Sequence, residues 1–127
     1  MHTISMNGEH TILIVEDETL IALAIEMGLE DEGYNVLGPV ATVESGLQLI
    51  QYFDLDAAIL DVDLGQGCNS FALAEVLQAR NIPFLFHTGR VPYEAISETF
   101  GEAIVVSKPT YLPRLIAHLQ RMTQNVI

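Results

Sequence analysis

Short runs of β-branched and apolar residues alternate along this chain with segments whose apolar residues repeat at helical spacing. The runs cover residues 11–15, 34–40, 57–61, 83–87 and 103–107. The first, third and fifth runs are apolar almost throughout, which is typical of strands that are covered on both faces. Such an alternation predicts an α/β fold, in which a five-stranded parallel sheet is doubly wound with helices on both faces.

Stripes of apolar residues indicate where the helices lie and which of their faces is buried. The predicted stripes are Leu20, Leu23, Ala24 and Met27; Val43, Leu47 and Ile50; Leu73, Val76 and Leu77; and Leu112, Leu115, Ile116, Leu119 and Met122. Gly33 is a candidate stop for the first helix, and Thr42 is a candidate N-cap for the second. The segment 91–100 is short, so we expect one or two helical turns after Pro92.

The length and composition of the chain limit its organisation and its partners. We expect residues 1–10 to form a flexible tail and residues 11–127 to form a single domain without an output module. No apolar run reaches the roughly 18 residues of a membrane span, and the single cysteine, Cys68, agrees with a cytoplasmic location. A net charge of −12 argues against nucleic acid as a partner, because phosphate backbones would be repelled.

Reactive side chains follow four of the five predicted strands. They are Glu16 and Asp17 after the first strand, Asp61 and Asp63 at the third, Thr88 after the fourth and Lys108 after the fifth. Because ligands of open α/β sheets bind beyond the carboxyl ends of the strands, we expect these residues to meet at one edge. Each residue alone has a structural explanation, as a helix cap, a turn residue or a surface charge. Their joint placement favours a functional site.

The predicted acidic cluster needs a positive partner. Three close carboxylates beside one lysine repel one another, which raises their pKa values. A cation such as Mg²⁺ relieves this repulsion, since it binds carboxylate oxygens, waters and a phosphate oxygen. A carboxylate beside such a cation and a lysine can attack phosphorus and form an aspartyl phosphate. Asp61 is the central acid, so we predict that it is the nucleophile and that the Thr88 hydroxyl binds a phosphoryl oxygen.

Four stretches of the sequence resemble, in the same order, the motifs of the receiver domain of two-component response regulators. They are ILIVEDE (12–18), AAILDVDL (57–64), HTG (87–89) and SKP (107–109), and the resemblance covers about residues 11 to 122. It implies a flavodoxin-like strand order of 2-1-3-4-5. It also implies a single-domain response regulator whose Asp61 is phosphorylated by a histidine kinase or a histidine phosphotransfer protein. Such a protein catalyses only its own phosphorylation and dephosphorylation, and it signals through protein–protein contacts.

The resemblance further implies roles for the residues of the predicted site. The implied Mg²⁺ ligands are Asp17 and Asp61 directly, Glu16 mostly through water, and Asp63 through its backbone carbonyl. Thr88 and Lys108 would contact the phosphoryl group and carry the switch between the two signalling states. From the lack of an apolar span and the net charge of −12, we expect no binding to membrane or nucleic acid. The protein would be a monomer, or a dimer that forms on phosphorylation.

Two features of the sequence depart from the common receiver pattern: the residue at position 105, and the short segment between Thr88 and Lys108, which predicts a reduced or irregular fourth helix. Receivers often have Tyr or Phe three residues before the lysine, and here that residue is Val105. Coupling through an inward-turning aromatic ring cannot operate in that form. The stretch PFLFHTGR (83–90) is similar to a subgroup of stand-alone receivers with a Phe-x-Thr-Gly motif. We therefore expect the loop 89–95 to carry the switch, with Arg90 either reaching the phosphoryl group or remaining a solvated charge.

Two alternative functions stay open from the sequence. The stretch DVDLG (61–65) resembles the Asp-x-Asp motif of haloacid-dehalogenase-type phosphatases, in which Asp63 would be the general acid and base. In that family the acidic pair comes late in the chain, whereas here Glu16 and Asp17 come first, and the chain is short for that fold plus a cap. The other alternative is a degenerate receiver that binds a partner without being phosphorylated. The complete set of site residues argues against it.

Overall fold

Strands and helices alternate throughout the part of the chain that the computed structural model describes, residues 10–89, 93–101 and 103–124. The elements are β1 (Thr11–Val15), α1 (Thr19–Asp31), β2 (Asn35–Val40), α2 (Val43–Tyr52), β3 (Ala57–Asp61), α3 (Phe71–Ala79), β4 (Phe84–Thr88), α4 (Tyr93–Phe100), β5 (Ile104–Ser107) and α5 (Leu112–Thr123). Each strand lies within one residue of its predicted bounds, and α4 has the two turns expected. Apart from His10, the predicted tail lies outside the described residues, as does Arg90.

The five strands form one parallel sheet in the order β2-β1-β3-β4-β5, which confirms the predicted doubly wound topology. The order reverses direction at β1, because the chain first moves outward to β2 and then returns past β1 to β3. In open sheets of this type, the crevice at such a switch point is the usual place for a ligand. The carboxyl ends of β1 and β3 therefore frame the expected site.

The hydrophobic core covers both faces of the sheet. On one face, Leu13, Leu60 and Phe86 belong to a buried cluster that also contains residues of α2, α3 and α4. On the other face, Ile14 and Ile59 pack in a cluster with residues of α1 and α5. This two-sided burial explains why the strands are nearly continuous apolar runs. No helix within the described residues is long and apolar enough to cross a membrane.

The prediction of the buried face of α1 was wrong. Its predicted stripe is exposed, with Leu20 at 81%, Leu23 at 47% and Met27 at 57% of their full accessibility. The buried residues of α1 are Ala22, Ile25, Gly28 and Leu29. Apolar residues lie on nearly all sides of this helix, so their spacing did not determine its rotation. Packing against α5 did, because a Cβ atom at Gly28 would overlap the Leu112 side chain.

Local signals at the helix ends were predicted correctly. The Thr42 hydroxyl accepts a hydrogen bond from the Ser45 backbone N–H at 3.1 Å and so caps α2. At the end of α1, Gly33 has a φ of 90°. The backbone N–H groups of Gly33 and Tyr34 donate to carbonyls of the last helical turn, both at 3.0 Å. This Schellman arrangement requires a left-handed residue directly after the helix, and glycine adopts that conformation without steric cost.

Gly33→Ala is expected to lower the free energy of unfolding by about 1 kcal/mol, because alanine is strained at this positive φ. Equilibrium urea unfolding would measure the loss. Gly33→Asn is the matched control, since asparagine tolerates the left-handed region better, and it should lose less than the alanine variant. An asparagine variant less stable than the alanine variant would contradict this explanation.

Candidate functional site

The sheet register brings the acidic ends of β1 and β3 side by side. Val15 pairs with Leu60, so the next residues, Glu16 and Asp61, are neighbours across the two strands. The ends of β4 and β5 continue the same edge. The predicted site residues that meet there are Glu16, Asp17, Asp61, Asp63, Thr88 and Lys108. Their convergence is what the parallel topology and the sequence positions together predict.

Lys108 is the centre of the charge network. Its Nζ lies 3.0 Å from Asp61 Oδ2 and 3.0 Å from Glu16 Oε1. A third carboxylate, that of Glu18, approaches the same nitrogen at 3.2 Å. Burial alone would lower the pKa of Lys108, but its hydrogen bonds with Glu16 and Asp61 hold the pKa above the ordinary range of lysine. The ammonium group therefore remains charged at any physiological pH.

The two buried carboxyl groups beside this ammonium, those of Glu16 and Asp61, have pKa values that are shifted in opposite directions. Burial, followed by the neighbouring Glu16 carboxylate, raises the pKa of Asp61 to about 7, against the opposing effect of Lys108. Burial would also raise the pKa of Glu16, but the nearby His87 ring, the Glu18 backbone N–H and the Lys108 ammonium outweigh it and lower the pKa to about 2. Asp61 is thus the acid that retains a proton near neutral pH when no other cation is present.

Four carboxylates are close enough to share one cation. Glu16, Asp17, Glu18 and Asp61 each offer an oxygen, and these oxygens lie within 4.8 Å of one another. A donor set made only of carboxylates suits a hard divalent cation such as Mg²⁺, which would also remove the repulsion between them. Asp17 and Glu18 are exposed, so water can complete the coordination. The residues present therefore fit the predicted metal.

Asp63 lies at the rim of the site, and its side chain stabilises the loop after β3. Its carboxylate accepts a hydrogen bond from the Gly65 backbone N–H at 2.9 Å. Its own backbone N–H donates to Asp61 Oδ1 at 3.3 Å. Gly65 has a φ of 82°, and a Cβ there would lie 3.4 Å from Asp17 Oδ2. The loop after β3 is therefore shaped to approach the acidic cluster closely.

The site opens to solvent through a pocket of about 330 Å³. Its lining residues are Asp17, Glu18, Asp61, Asp63, Gly65, Thr88, Gly89 and Lys108. Glu16 is not among them and lies behind Lys108, with its side chain 1% exposed. A larger cavity of about 390 Å³ lies near the amino ends of β3 and β4, where Arg80 donates to the Ile50 carbonyl and closes the end of α2. That second cavity carries no acidic cluster.

Sequence reasoning missed two residues of the site. Glu18 was not singled out, although it is the third acid of the run that begins with Glu16, and it proves to contact Lys108. His87 belongs to the HTG stretch (87–89), but the sequence pattern did not predict a function for its side chain. Strand alternation turns it to the opposite face from Thr88, where its ring reaches the back of Glu16. Both residues stand beside predicted site residues in the sequence. Whether their side chains reach the site depends on the direction in which the folded chain turns them.

The fold and the acidic pocket match a known family. The family model of the response regulator receiver domain matches residues 12–120, and the chain belongs to this family. Receiver domains are signalling modules of two-component pathways and not conventional enzymes. They generally bind Mg²⁺ at an acidic pocket and interact with kinases or phosphotransfer proteins.

Several relatives resemble the chain over most of its length. It is 27% identical over 117 residues to the cell cycle transcriptional regulator CtrA of Caulobacter vibrioides, covering 90% of this chain and 50% of CtrA. It is 30% identical over 100 residues to the phyllosphere-induced regulator PhyR of Methylorubrum extorquens, covering 77% of this chain and 38% of PhyR. The chain thus spans about half or less of these curated relatives. The solution structure of SdrG from Sphingomonas melonis Fr1 has a TM-score of 0.78 and 38% identity, covering 92% of this chain and 98% of SdrG.

The raised pKa of Asp61 predicts an unusual dependence of stability on pH. Because this pKa is about 7 in the fold and 3.8 as the ordinary value, the bound proton stabilises the fold at low pH. That contribution is lost as the pH rises from about 4 to 7. Asp61→Asn should remove the decline, and at pH 8 without metal it should be about 1–3 kcal/mol more stable than the natural chain. Urea unfolding in a chelating buffer between pH 5 and pH 8 would measure how the free energy of unfolding changes with pH in the natural chain and in the Asp61→Asn variant.

Asp63→Asn serves as the control for this experiment. It removes a carboxylate at the rim of the same pocket, where the side chain is exposed, and it should leave the slope unchanged. Glu16 contributes in the opposite direction only below about pH 4.5, outside the chosen range, since its pKa is lowered. An Asp61→Asn variant with the same pH slope as the natural chain would show that Asp61 does not hold the proton.

Proposed function

We propose that this chain is a response regulator whose Asp61 accepts a phosphoryl group from a phosphohistidine on a histidine kinase or a phosphotransfer protein. The observation that carries the proposal is the position of the Asp61 carboxylate. It lines the open pocket, 3.0 Å from the Lys108 ammonium and within the cluster of four carboxylates. A nucleophile, a fixed positive charge and a cation-binding set thus meet at one solvent-accessible point.

The proposed reaction assigns a task to each residue of the pocket. A carboxylate oxygen of Asp61 attacks phosphorus, and the phosphorus–nitrogen bond to the donor imidazole breaks. Lys108 neutralises the charge on the transferring group, and Thr88, which lines the pocket, would hydrogen-bond one of its oxygens. Mg²⁺ held by Asp17 and Asp61, with Glu16 acting through water, Glu18 nearby and the Asp63 carbonyl as a further ligand, would supply additional charge neutralisation.

The geometry gives no specific support to the phosphatase alternative. In that mechanism, the Asp63 carboxylate would deliver a proton to a leaving group and then activate water. Here the carboxylate accepts a hydrogen bond from the Gly65 backbone N–H, which holds it in the loop after β3. The chain would instead act within a cytoplasmic two-component pathway and signal by protein–protein contacts, as a monomer or as a dimer formed on phosphorylation.

Asp61→Asn is expected to abolish phosphorylation, because the amide cannot act as the nucleophile. The measurement is incubation with acetyl phosphate and Mg²⁺, followed by intact mass, in which the natural chain gains one phosphoryl group. Omission of Mg²⁺ should prevent labelling. Asp17→Ala should slow it by about 10²-fold or more, as expected when a ligand of a catalytic cation is lost.

Asp54→Asn is the matched control, since Asp54 is exposed and borders the second cavity, away from the acidic cluster. It should be labelled at the natural rate. Full labelling of the Asp61→Asn variant would assign the phosphoryl group to another residue. A natural chain that gains no mass under any condition would favour a binding module that is never phosphorylated.

We further propose that the phosphodonor protein docks on the exposed apolar stripe of α1, formed by Leu20, Leu23, Ala24 and Met27. This α1 stripe begins next to the pocket, because α1 starts at Thr19, directly after the pocket residue Glu18. A protein docked on this stripe would cover the side of the opening formed by Asp17 and Glu18. An exposed apolar patch of this kind is typical of a protein interface, and an amphipathic helix is the natural complement to it.

Leu20→Glu is expected to slow phosphotransfer from a protein donor by about tenfold or more, because a charge would enter the buried centre of the interface. Labelling by acetyl phosphate should not change, since this small donor does not need the α1 stripe. Purified, radiolabelled histidine kinase domains would serve as donors.

Tyr52→Glu, on an exposed aromatic residue of α2, is the control. Equal loss with both donors would contradict docking, and loss of self-association alone would assign the stripe to a second copy of the chain.

A further inference from the structure

His87 is a buried polar residue to which the proposed chemistry gives no role. It lies on β4 next to Thr88 and is 0% exposed. Its neighbours on the adjacent strands are Asp61 on β3 and Val106 on β5. An imidazole ring at such a depth must satisfy two nitrogen atoms, one of which carries a hydrogen in the neutral form.

The two ring nitrogens face different parts of the site. Nε2 lies 2.9 Å from the hydroxyl oxygen of Thr110, in the segment between β5 and α5. Nδ1 faces the Glu16 carboxylate, with 3.8 Å between Nδ1 and Oε1. Among the residues that the structure describes, neither Nδ1 nor this Oε1 has a hydrogen-bond partner, although Oε1 lies 3.0 Å from the Lys108 ammonium.

The chemistry of these neighbours selects one tautomer of the ring. An ionised carboxylate has only acceptor atoms, so a bare Nδ1 lone pair directed at Glu16 would be repelled. A hydrogen on Nδ1 makes that approach favourable. Nε2 is then an acceptor, and the Thr110 hydroxyl can donate to it. Of the two neutral tautomers, only this one gives both nitrogens a suitable neighbour.

We propose that His87 is a positioning residue for Glu16, holding its proton on Nδ1, directed at the carboxylate, while Nε2 accepts from Thr110. The donor matters because the Glu16 side chain is 1% exposed, and a buried carboxylate oxygen without a donor is costly. By holding the back of Glu16, the ring fixes the edge of the four-carboxylate cluster. Through Thr110 it also connects this cluster to the segment that leads into α5.

The role of His87 becomes larger in the phosphorylated state, a step that rests on the function proposed above. If Lys108 turns from Glu16 to a phosphoryl group on Asp61, Oε1 of Glu16 loses its nearest cation. The Nδ1–H group of His87 is then the side-chain donor that remains within reach. A displacement of about 1 Å would bring the 3.8 Å separation into hydrogen-bond range.

The tautomer of the ring is the first test, and it requires neither phosphorylation nor a variant. Long-range ¹H–¹⁵N correlation spectra of the metal-free protein should show His87 protonated on Nδ1 and bare on Nε2. Addition of Mg²⁺ and beryllium fluoride, which imitates the phosphoryl group, should shift the Nδ1–H resonance as the hydrogen bond shortens. A ring protonated on Nε2 and bare on Nδ1 would overturn the proposal.

Substitutions at His87 provide the second test, with Mg²⁺ affinity as the readout, obtained from the metal-dependent rise of the melting temperature. His87→Ala should weaken Mg²⁺ binding by about tenfold, as loss of an orienting group behind a metal site does. His87→Asn places an amide N–H near the position of Nδ1 and should restore affinity to within about threefold. His87→Gln reaches towards Thr110 instead and should not restore it.

These outcomes separate the role of His87 from its contribution to folding and from the proposed function. A general loss of stability would lower the melting temperature without metal equally in the asparagine and glutamine variants, and would leave the Mg²⁺ affinity unchanged. Natural affinity in both the alanine and the glutamine variants would overturn the proposal. A natural chain that shows the expected tautomer but is never labelled by acetyl phosphate would refute the phosphoacceptor function and leave the positioning role intact.

Discussion

The contact of one buried ammonium group with several carboxylates determines much of what this protein can do. Lys108 Nζ lies 3.0 Å from both Glu16 and Asp61, and the two acids are each 3% exposed. One positive charge cannot neutralise these acids and Glu18 together. Burial, followed by the neighbouring Glu16 carboxylate, raises the pKa of Asp61 to about 7. The excess negative charge makes the pocket suitable for a divalent cation. It also suits a reaction in which charge moves onto a phosphoryl group.

The sheet keeps this unfavourable arrangement in place. Glu16 follows β1 and Asp61 ends β3, two strands that are buried on both faces, as at Leu13 and Ile14, and the ladder between the strands fixes the separation of the two acids. The acids therefore cannot move apart to relieve their repulsion without breaking core contacts. Hydrogen bonds supply the remaining restraint, from the Glu18 backbone N–H to Glu16 and from the Lys108 backbone N–H to the Thr88 carbonyl. A rigid scaffold of this kind is what preorganised charge requires.

The first helix, unlike the strands, leaves large apolar side chains exposed to solvent. It leaves Leu20 and Met27 in water, although burial of such a side chain is worth about 1.5–3 kcal/mol. Its other face, with Ile25 and Leu29, is buried in the core cluster between the sheet and α5. Burial of the α1 stripe against a phosphodonor would recover the missing contribution in the complex. Among the described residues, α1 carries three of the six exposed large hydrophobic side chains, Leu20, Leu23 and Met27.

The amino-acid sequence by itself determined the strands, the alternation with helices, the caps at Thr42 and Gly33, and the acidic, hydroxyl and lysine residues at the strand ends. These features depend on neighbouring residues, and local spacing records them. The tertiary structure alone decided the rotation of α1, because its apolar residues surround the helix and the packing of Ile25, Gly28 and Leu29 against the sheet and α5 selects the buried face. It also decided that Glu18 reaches Lys108 and that His87 lies behind Glu16. Those contacts join residues about 70 or 90 positions apart, and their distances depend on how helices and strands are stacked in space, which no local pattern specifies.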